Sequence, residues 1–67
     1  MSKNIELLLM EVHEKDVRDI VEDHILDIIF DEKKKKVTVL VDKRYVINLI
    51  QSLRYVSYFT TAIQKSF

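Results

Sequence analysis

Two short runs of alternating apolar residues flank four consecutive lysines, and this pattern constrains the fold more than any other feature of the chain. The alternating residues are Leu26, Ile28 and Phe30 before the lysines and Val37, Val39 and Val41 after them. Alternation with a period of two, rich in β-branched residues, is typical of strands with one buried face. The sequence therefore predicts an antiparallel β-hairpin with the lysines at its tip.

One register of this hairpin satisfies both the apolar and the charged residues. It pairs Phe30 with Val37, Ile28 with Val39 and Leu26 with Val41. The same register places Asp31 opposite Lys36 and Glu32 opposite Lys35, and opposite charges across a strand pair are favourable. Because the chain has no glycine for a tight primed turn, we expect a four-residue loop, residues 32–35, built on a type I turn.

Helical spacing precedes the hairpin. Val17, Ile20 and Val21 share one face, and Glu14–Arg18 and Lys15–Asp19 are favourable i,i+4 pairs. An upstream set also shares a face, and it comprises Ile5, Leu8, Leu9 and Val12. The phase breaks near His13, which predicts either one bent helix over residues 4–23 or two helices, the second capped by Asp16. A competing interpretation makes residues 5–12 a strand.

A second helical region follows the hairpin. Asp42 is a plausible N-cap, and the sequence predicts a helix over residues 43–54. Residues 55–61 are rich in β-branched and aromatic side chains, so residues 55–67 are open to helix or strand. The expected fold is one small α+β domain spanning residues 1–67, in which helices cover one face of the hairpin in two layers.

The chain is short for a self-sufficient core. A domain of 67 residues buries only about 60% of its unfolded surface, and without cysteine it has no disulfide to compensate. We therefore expect a homodimer or a tight hetero-complex. The residues predicted to form the self-association surface are Leu49, Leu53, Val56, Phe59 and Ile63. The absence of cysteine fits the cytoplasm, and neither a signal peptide nor a membrane span is expected.

The net charge of zero conceals a segregation of charge. Residues 1–32, the acidic half, hold ten acidic and three basic residues, whereas residues 33–67, the basic half, hold one acidic and eight basic residues. Such asymmetry suggests an interaction surface.

The acidic half offers the first candidate for that surface. A set of carboxylates along the predicted helix forms the acidic face, which comprises Glu14, Asp16, Asp19, Glu22 and Asp23. It can be merely solvated, dock on the basic half, or bind a basic partner. Carboxylates about 5–6 Å apart crudely imitate phosphates, so a nucleic-acid-binding protein is one such partner, which the chain would inhibit as a DNA mimic.

The basic half supports an alternative, direct nucleic-acid binding. The candidate residues are Lys33, Lys34, Lys35, Lys36, Lys43, Arg44 and Arg54. Lysines contact phosphates, and neighbouring tyrosines can stack on bases. A surplus of acidic residues elsewhere on the chain would repel the same phosphates. A third possibility is a purely structural homo-oligomer.

Catalytic and metal-binding chemistry is not expected. A nucleophile elbow requires glycine, and no serine has a histidine near it in the sequence. His13 and His24 each have an aspartate three residues on, but a structural metal prefers more nitrogen and sulfur ligands. We therefore predict a non-enzymatic interaction protein with no cofactor and no metal.

Overall fold

The computed structural model describes residues 2–67 and contains an α+β arrangement, as the sequence predicts. The elements in order are α1 (Lys3–Met10), α2 (Lys15–His24), β1 (Ile25–Asp31), β2 (Lys36–Val41), α3 (Arg44–Ile50) and α4 (Val56–Ser66). The strands form one antiparallel pair. Helices α1 and α2 pack on β1, α3 contacts β2, and α4 packs on α1, so the core lies between the helices and one face of the hairpin.

The hairpin has the predicted register over most of its length. Phe30 pairs with Val37, Ile28 with Val39, and Asp31 with Lys36. The loop between Asp31 and Lys36 has the predicted four residues. Glu32 and Lys35 both lie in this turn, so the cross-strand charge pair predicted between them is wrong.

The predicted pairing of Leu26 with Val41 is also wrong. A β-bulge places Ile25 opposite Val41 and leaves Leu26 as the extra residue, 64% exposed. The bulge allows both Ile25 and Ile28, three positions apart, to turn to the buried face, where they are 5% and 1% exposed. At the start of β1, therefore, the burial of Ile25 and Ile28 determines the register, and the alternating pattern of the sequence does not continue to Leu26.

The N-terminal region forms two helices, which resolves the alternatives left open by the sequence. Ser2 caps α1, its Oγ accepting a hydrogen bond from the Ile5 amide at 3.2 Å. Helix α2 begins at Lys15, after Glu14 as N-cap, so the prediction that Asp16 caps this helix is wrong. Asp16 lies instead in the first turn, where the helix dipole also favours a carboxylate.

The predicted helix over residues 43–54 is shorter than expected. Helix α3 begins at Arg44 after Lys43 as N-cap and ends at Ile50, so Asp42 is not the cap. The Ser52 hydroxyl donates to the Leu49 carbonyl at 2.7 Å, and such bonds compete with helix continuation. A turn follows, and the rest of the chain forms α4.

Helix α4 settles the ambiguous region in favour of helix. Phe59 and Ala62 are 3% and 1% exposed, and α4 packs on α1. The Phe67 ring lies 5.6 Å from that of Phe30, which ties the end of the chain to β1. Packing of one helical face thus overrides the β-propensity of residues 55–61.

Candidate functional site

Helix α2 has one buried and one charged side. Val17, Ile20 and Val21 are at most 7% exposed and fix the rotation of the helix against the core. The helical period then turns the acidic face outward. Glu14, at the N-cap, and Asp16, Glu22 and Asp23 on the helix are exposed and Asp19 is half-exposed, so all five predicted carboxylates are accessible.

A lysine stands within this acidic face. Lys15 Nζ lies 3.1 Å from Asp19 Oδ2, which confirms the predicted i,i+4 pair. The hydrogen bond to Asp19 and its charge raise the pKa of Lys15 above the usual 10.5, with smaller contributions from Asp16 and Asp23. The acidic face therefore already binds one ammonium group belonging to the chain itself.

Arg18 has a structural role that the sequence did not reveal. Its Nη1 donates to the carbonyls of Leu9 at 2.7 Å and Val12 at 2.9 Å, at the end of α1 and just beyond it. Its Nη2 lies 3.7 Å from Glu22 Oε1, so Arg18 pairs with Glu22 and not with Glu14 as predicted. One guanidinium thus joins the α1–α2 connection to the acidic face.

Arg54 connects the basic half to the acidic half. Its Nη2 lies 3.5 Å from Asp16 Oδ2, and its guanidinium lies 5.3 Å from the centre of the Tyr55 ring. Both partners of the ion pair remain largely exposed, so it contributes little stability. It does place Arg54 next to the Asp16 carboxylate, which argues against its predicted role in contacting phosphates.

The predicted nucleic-acid-binding residues do not form one patch. Lys33, Lys34 and Lys35 lie in the hairpin turn and Lys36 begins β2, whereas Lys43 and Arg44 lie beyond the other end of that strand. A strand advances about 3.3 Å per residue, so the two groups are roughly 20 Å apart. The amides of Lys33 and Lys34 donate to Asp31 Oδ1 at 3.1 and 3.2 Å, which fixes the lysine-rich turn.

The predicted self-association residues divide by exposure. Leu53 is 97% exposed and Val56 is 37% exposed, so both are available to a second molecule. Leu49 and Ile63 are partly buried against the core. Phe59 is wrongly placed in the prediction, because its side chain is buried in the chain's own core.

An open cleft of about 470 Å³ adjoins the N-terminal end of the acidic face. The residues lining it are Glu11, Val12, His13, Glu14, Ser57, Tyr58, Thr61, Ala62 and Lys65. Carboxylates, hydroxyls and an aromatic ring there could receive a basic side chain of a partner, although Lys65 would oppose it.

The two histidines occupy unrelated places. His24 Nδ1 lies 3.1 Å from Asp42 Oδ1, and its ring meets the Tyr45 ring edge-on at 5.8 Å. His13 lines the cleft. Within residues 2–67 no three histidine, cysteine, aspartate or glutamate side chains are grouped so that they could hold a metal ion.

Comparisons with protein-family models, with curated proteins and with solved structures find no match to this chain. Over the described part of the chain, none of the helices has the length and apolar character needed to traverse a bilayer.

Proposed function

We propose that this protein is a small, non-enzymatic, cytoplasmic interaction module whose acidic face binds a basic protein. The observation that supports this most directly is the orientation of α2, which buries Val17, Ile20 and Val21 and leaves the carboxylates accessible. The helix fixes the backbone positions of these carboxylates, so binding of a basic partner requires the ordering of side chains but not of the backbone that carries them.

The ion pairs within the acidic face refine this proposal. Lys15 and Arg18 each contact one carboxylate at the surface, while Glu14 and Asp23 form no ion pair within residues 2–67. A partner's arginine or lysine would therefore bind most strongly near Glu14 and Asp23, at the two ends of the acidic face, where no cation of this chain neutralises the carboxylate. The cleft beside Glu14 provides room for a side chain at one of these ends.

A nucleic-acid-binding protein fits this description best. Its binding cleft is basic and accepts a row of negative charges, and α2 supplies such a row on one helix. Association would be steered by charge and weakened by salt. In this role the chain would act as an inhibitor that occupies the nucleic-acid site.

The test is affinity capture from the native host at low salt, followed by identification of the bound proteins. Capture of a basic protein that is lost with Asp19→Lys combined with Asp23→Lys supports the proposal. The matched control reverses two acidic residues away from α2, Glu6→Lys combined with Glu32→Lys, and changes net charge equally. Equal loss with the control would indicate a non-specific effect of charge and would contradict a defined face.

Direct nucleic-acid binding is the second candidate, and the exposed lysine turn favours it. Lys33, Lys34 and Lys35 are exposed and form no ion pair within residues 2–67. A gel shift with short DNA and RNA at low salt, abolished by Lys34→Glu combined with Lys35→Glu, would support this candidate over the first. A purely structural role predicts neither a gel shift nor a captured partner.

A further inference from the structure

The two edges of the hairpin differ in whether their outward-pointing backbone amides and carbonyls form hydrogen bonds. At the outer edge of β1, the Ile28 amide donates to Asp27 Oδ1 at 2.8 Å. The Ile28 carbonyl accepts from Asn4 Nδ2 at 2.7 Å. Both backbone groups in the middle of this edge are therefore occupied, and another strand cannot pair there without displacing two side chains.

The outer edge of β2 receives no such hydrogen bonds within residues 2–67. Since the backbone groups of Ile28 point away from β2, those of its partner Val39 point away from β1. The Asp42 amide donates to the His24 carbonyl at 3.0 Å, so the even-numbered positions face β1 and the odd-numbered positions face outward. Val37, Val39 and Val41 thus present their amides and carbonyls at the edge.

No helix or loop within residues 2–67 supplies hydrogen bonds to these three valines. Because side chains occupy the backbone groups at the edge of β1, a further strand could pair with this sheet only at the edge of β2. An exposed row of unpaired backbone groups is a template for another strand.

We propose that a second copy of this chain pairs with the β2 edge, antiparallel and in register about Val39, to give a four-stranded sheet across a two-fold axis. Val39 then faces Val39 of the second copy, and Val37 faces Val41. These pairs are the hydrogen-bonded kind, since their backbone groups already point outward. The interface is isologous, as a closed homodimer requires.

The charges at the two ends of β2 select the second copy as the occupant. Lys36 begins β2 and Asp42 follows its last residue, so in this register each lysine lies opposite the aspartate of the other copy. These contacts would add to those that the two residues already have within the chain, Lys36 opposite Asp31 and Asp42 next to His24. Both residues are exposed, so both are accessible to the other copy. Shifting the register by two residues in either direction breaks both charge pairs, so the sequence favours one register.

The partial burial of the β2 valines also supports pairing with a second copy. Ile25 and Ile28 of β1 are nearly fully buried, whereas Val37, Val39 and Val41 of β2 are only partly buried against the core. Three matching valines from a second copy would extend that apolar surface next to them. A two-stranded sheet is marginal alone, and four strands give a more stable unit.

This inference is independent of the acidic face, since none of the edge residues belongs to α2. It places self-association at β2, not at the C-terminal residues that the sequence suggested. Failure of either proposal leaves the other unaffected.

The first test is the oligomeric state of the full chain by sedimentation equilibrium. We expect a dimer at micromolar concentration and a monomer for Val39→Pro, because proline removes the outward amide and cannot pair at that edge. Circular dichroism checks that the variant stays folded. The control Leu53→Ala, at a residue away from β2, should remain dimeric. A wild-type chain that stays monomeric at 100 μM, or a Val39→Pro variant that is folded and dimeric, would overturn the proposal.

The second test locates the contact and does not depend on a proline. The chain has no cysteine, so Val39→Cys introduces a unique thiol. Cα atoms of a hydrogen-bonded antiparallel pair lie about 5.5 Å apart, within disulfide range, and mild oxidation should give a covalent dimer. Ile29→Cys on the outward face of β1 should not crosslink. Crosslinking of Ile29→Cys in place of Val39→Cys would show face-to-face packing and reject edge pairing.

The third test measures the charge pairing. Lys36→Glu places like charges opposite each other twice in the dimer and should raise the dissociation constant about tenfold. Because Lys36 also lies opposite Asp31 of its own chain, the control is Lys36→Glu combined with Asp42→Lys, which restores opposite charges only between the copies and should return the dissociation constant toward that of the wild type. Equal effects of the two variants would contradict the proposed register.

Discussion

The acidic half of the chain builds the core, and the basic half is attached to it. Among residues 2–67, nine of the twelve buried apolar residues precede residue 33 and three follow it. Of the large apolar side chains exposed within the described residues, six belong to the basic half, with Leu53 at 97% and Tyr45 at 54%, and three belong to the acidic half. The comparison teaches that one half of a very small domain can supply the scaffold while the other supplies uncovered surface.

The hairpin joins the two halves, because the backbone hydrogen bonds between β1 and β2 run from one half to the other. Within residues 2–67 only a few side-chain contacts add to this pairing. Asp42 contacts His24, Arg54 contacts Asp16, and the Ser66 hydroxyl donates to the Leu7 carbonyl at 3.3 Å. The ion pair of Arg54 is exposed and weak. Attachment of the basic half therefore depends mainly on the strand pairing and on its buried residues Val46, Phe59 and Ala62.

The largest test of this comparison is a pair of leucine truncations. Leu8→Ala removes a side chain with no exposed surface from the acidic half, and we expect the free energy of unfolding to fall by about 3 kcal/mol. Leu53→Ala in the basic half should change it by less than about 0.5 kcal/mol. Urea denaturation followed by circular dichroism measures both. A large loss for Leu53→Ala would mean that another molecule covers this residue.

The sequence predicted the elements of this fold better than their ends. Alternation identified the hairpin and most of its register, because only one register places its apolar residues on one face. Alternation did not predict the bulge at Leu26. Either Ile25 or Leu26 could pair with Val41 on the buried face, and the packing of the helices on β1, which alternation does not include, decides between them. Asp16 and Asp42 were predicted as caps from residue type alone, whereas Arg54 and His24 contact them in the folded chain.

In the candidate site, too, some features were predictable from the sequence and others were not. Helical spacing predicted that these carboxylates face outward, and all five are accessible, because three buried residues fix the rotation of α2. The structural use of Arg18 was not predictable, since its main partners are backbone carbonyls at the end of α1 and just beyond it. Phe59 was misplaced because a helical apolar stripe does not reveal which residues meet the core and which remain free.

A second prediction tests how the acidic half is held together. Arg18→Gln removes two charge-assisted hydrogen bonds to the Leu9 and Val12 carbonyls, so the free energy of unfolding should fall by about 2 kcal/mol. Arg44→Gln, at an exposed arginine in the basic half, is the matched control and should change it by less than about 0.5 kcal/mol. If both variants behave alike in urea denaturation, the Arg18 contacts carry no stability.

A third prediction concerns the hairpin turn, where the basic half begins. Lys35 has φ of 53°, the left-handed region that favours glycine, and the chain contains no glycine. Relief of this strain exceeds the entropy cost of glycine, so Lys35→Gly should stabilise the chain by about 0.5–1 kcal/mol. Lys34→Gly removes the same charge without relieving strain and should destabilise by a similar amount. Thermal unfolding of the two variants would show opposite shifts, and shifts of the same sign would refute the strain argument.

The smallest expected effect lies in the acidic face itself. Asp19 raises the pKa of Lys15 above 10.5 by its hydrogen bond and its charge. A raised pKa means that the pair stabilises the fold at pH below 10.5 and that this contribution disappears as the pH rises through the native pKa. An NMR titration of the Lys15 side chain should show the pKa falling with Asp19→Asn and falling less with Asp23→Asn. Equal pKa shifts in the two variants would mean that the combined charge of α2, and not the hydrogen bond to Asp19, raises the pKa of Lys15.

The same titration separates a solvated acidic face from a binding one. A basic partner on this face would bring its own cations to Asp19 and compete with Lys15 for the carboxylate. The pKa of Lys15 should then fall on addition of the captured protein, because the charge that stabilises its ammonium is neutralised. Lys15→Gln removes the competing cation and should strengthen binding of that partner. Weaker binding by Lys15→Gln would mean that Lys15 itself contacts the partner, and the acidic half would then not bind through its carboxylates alone.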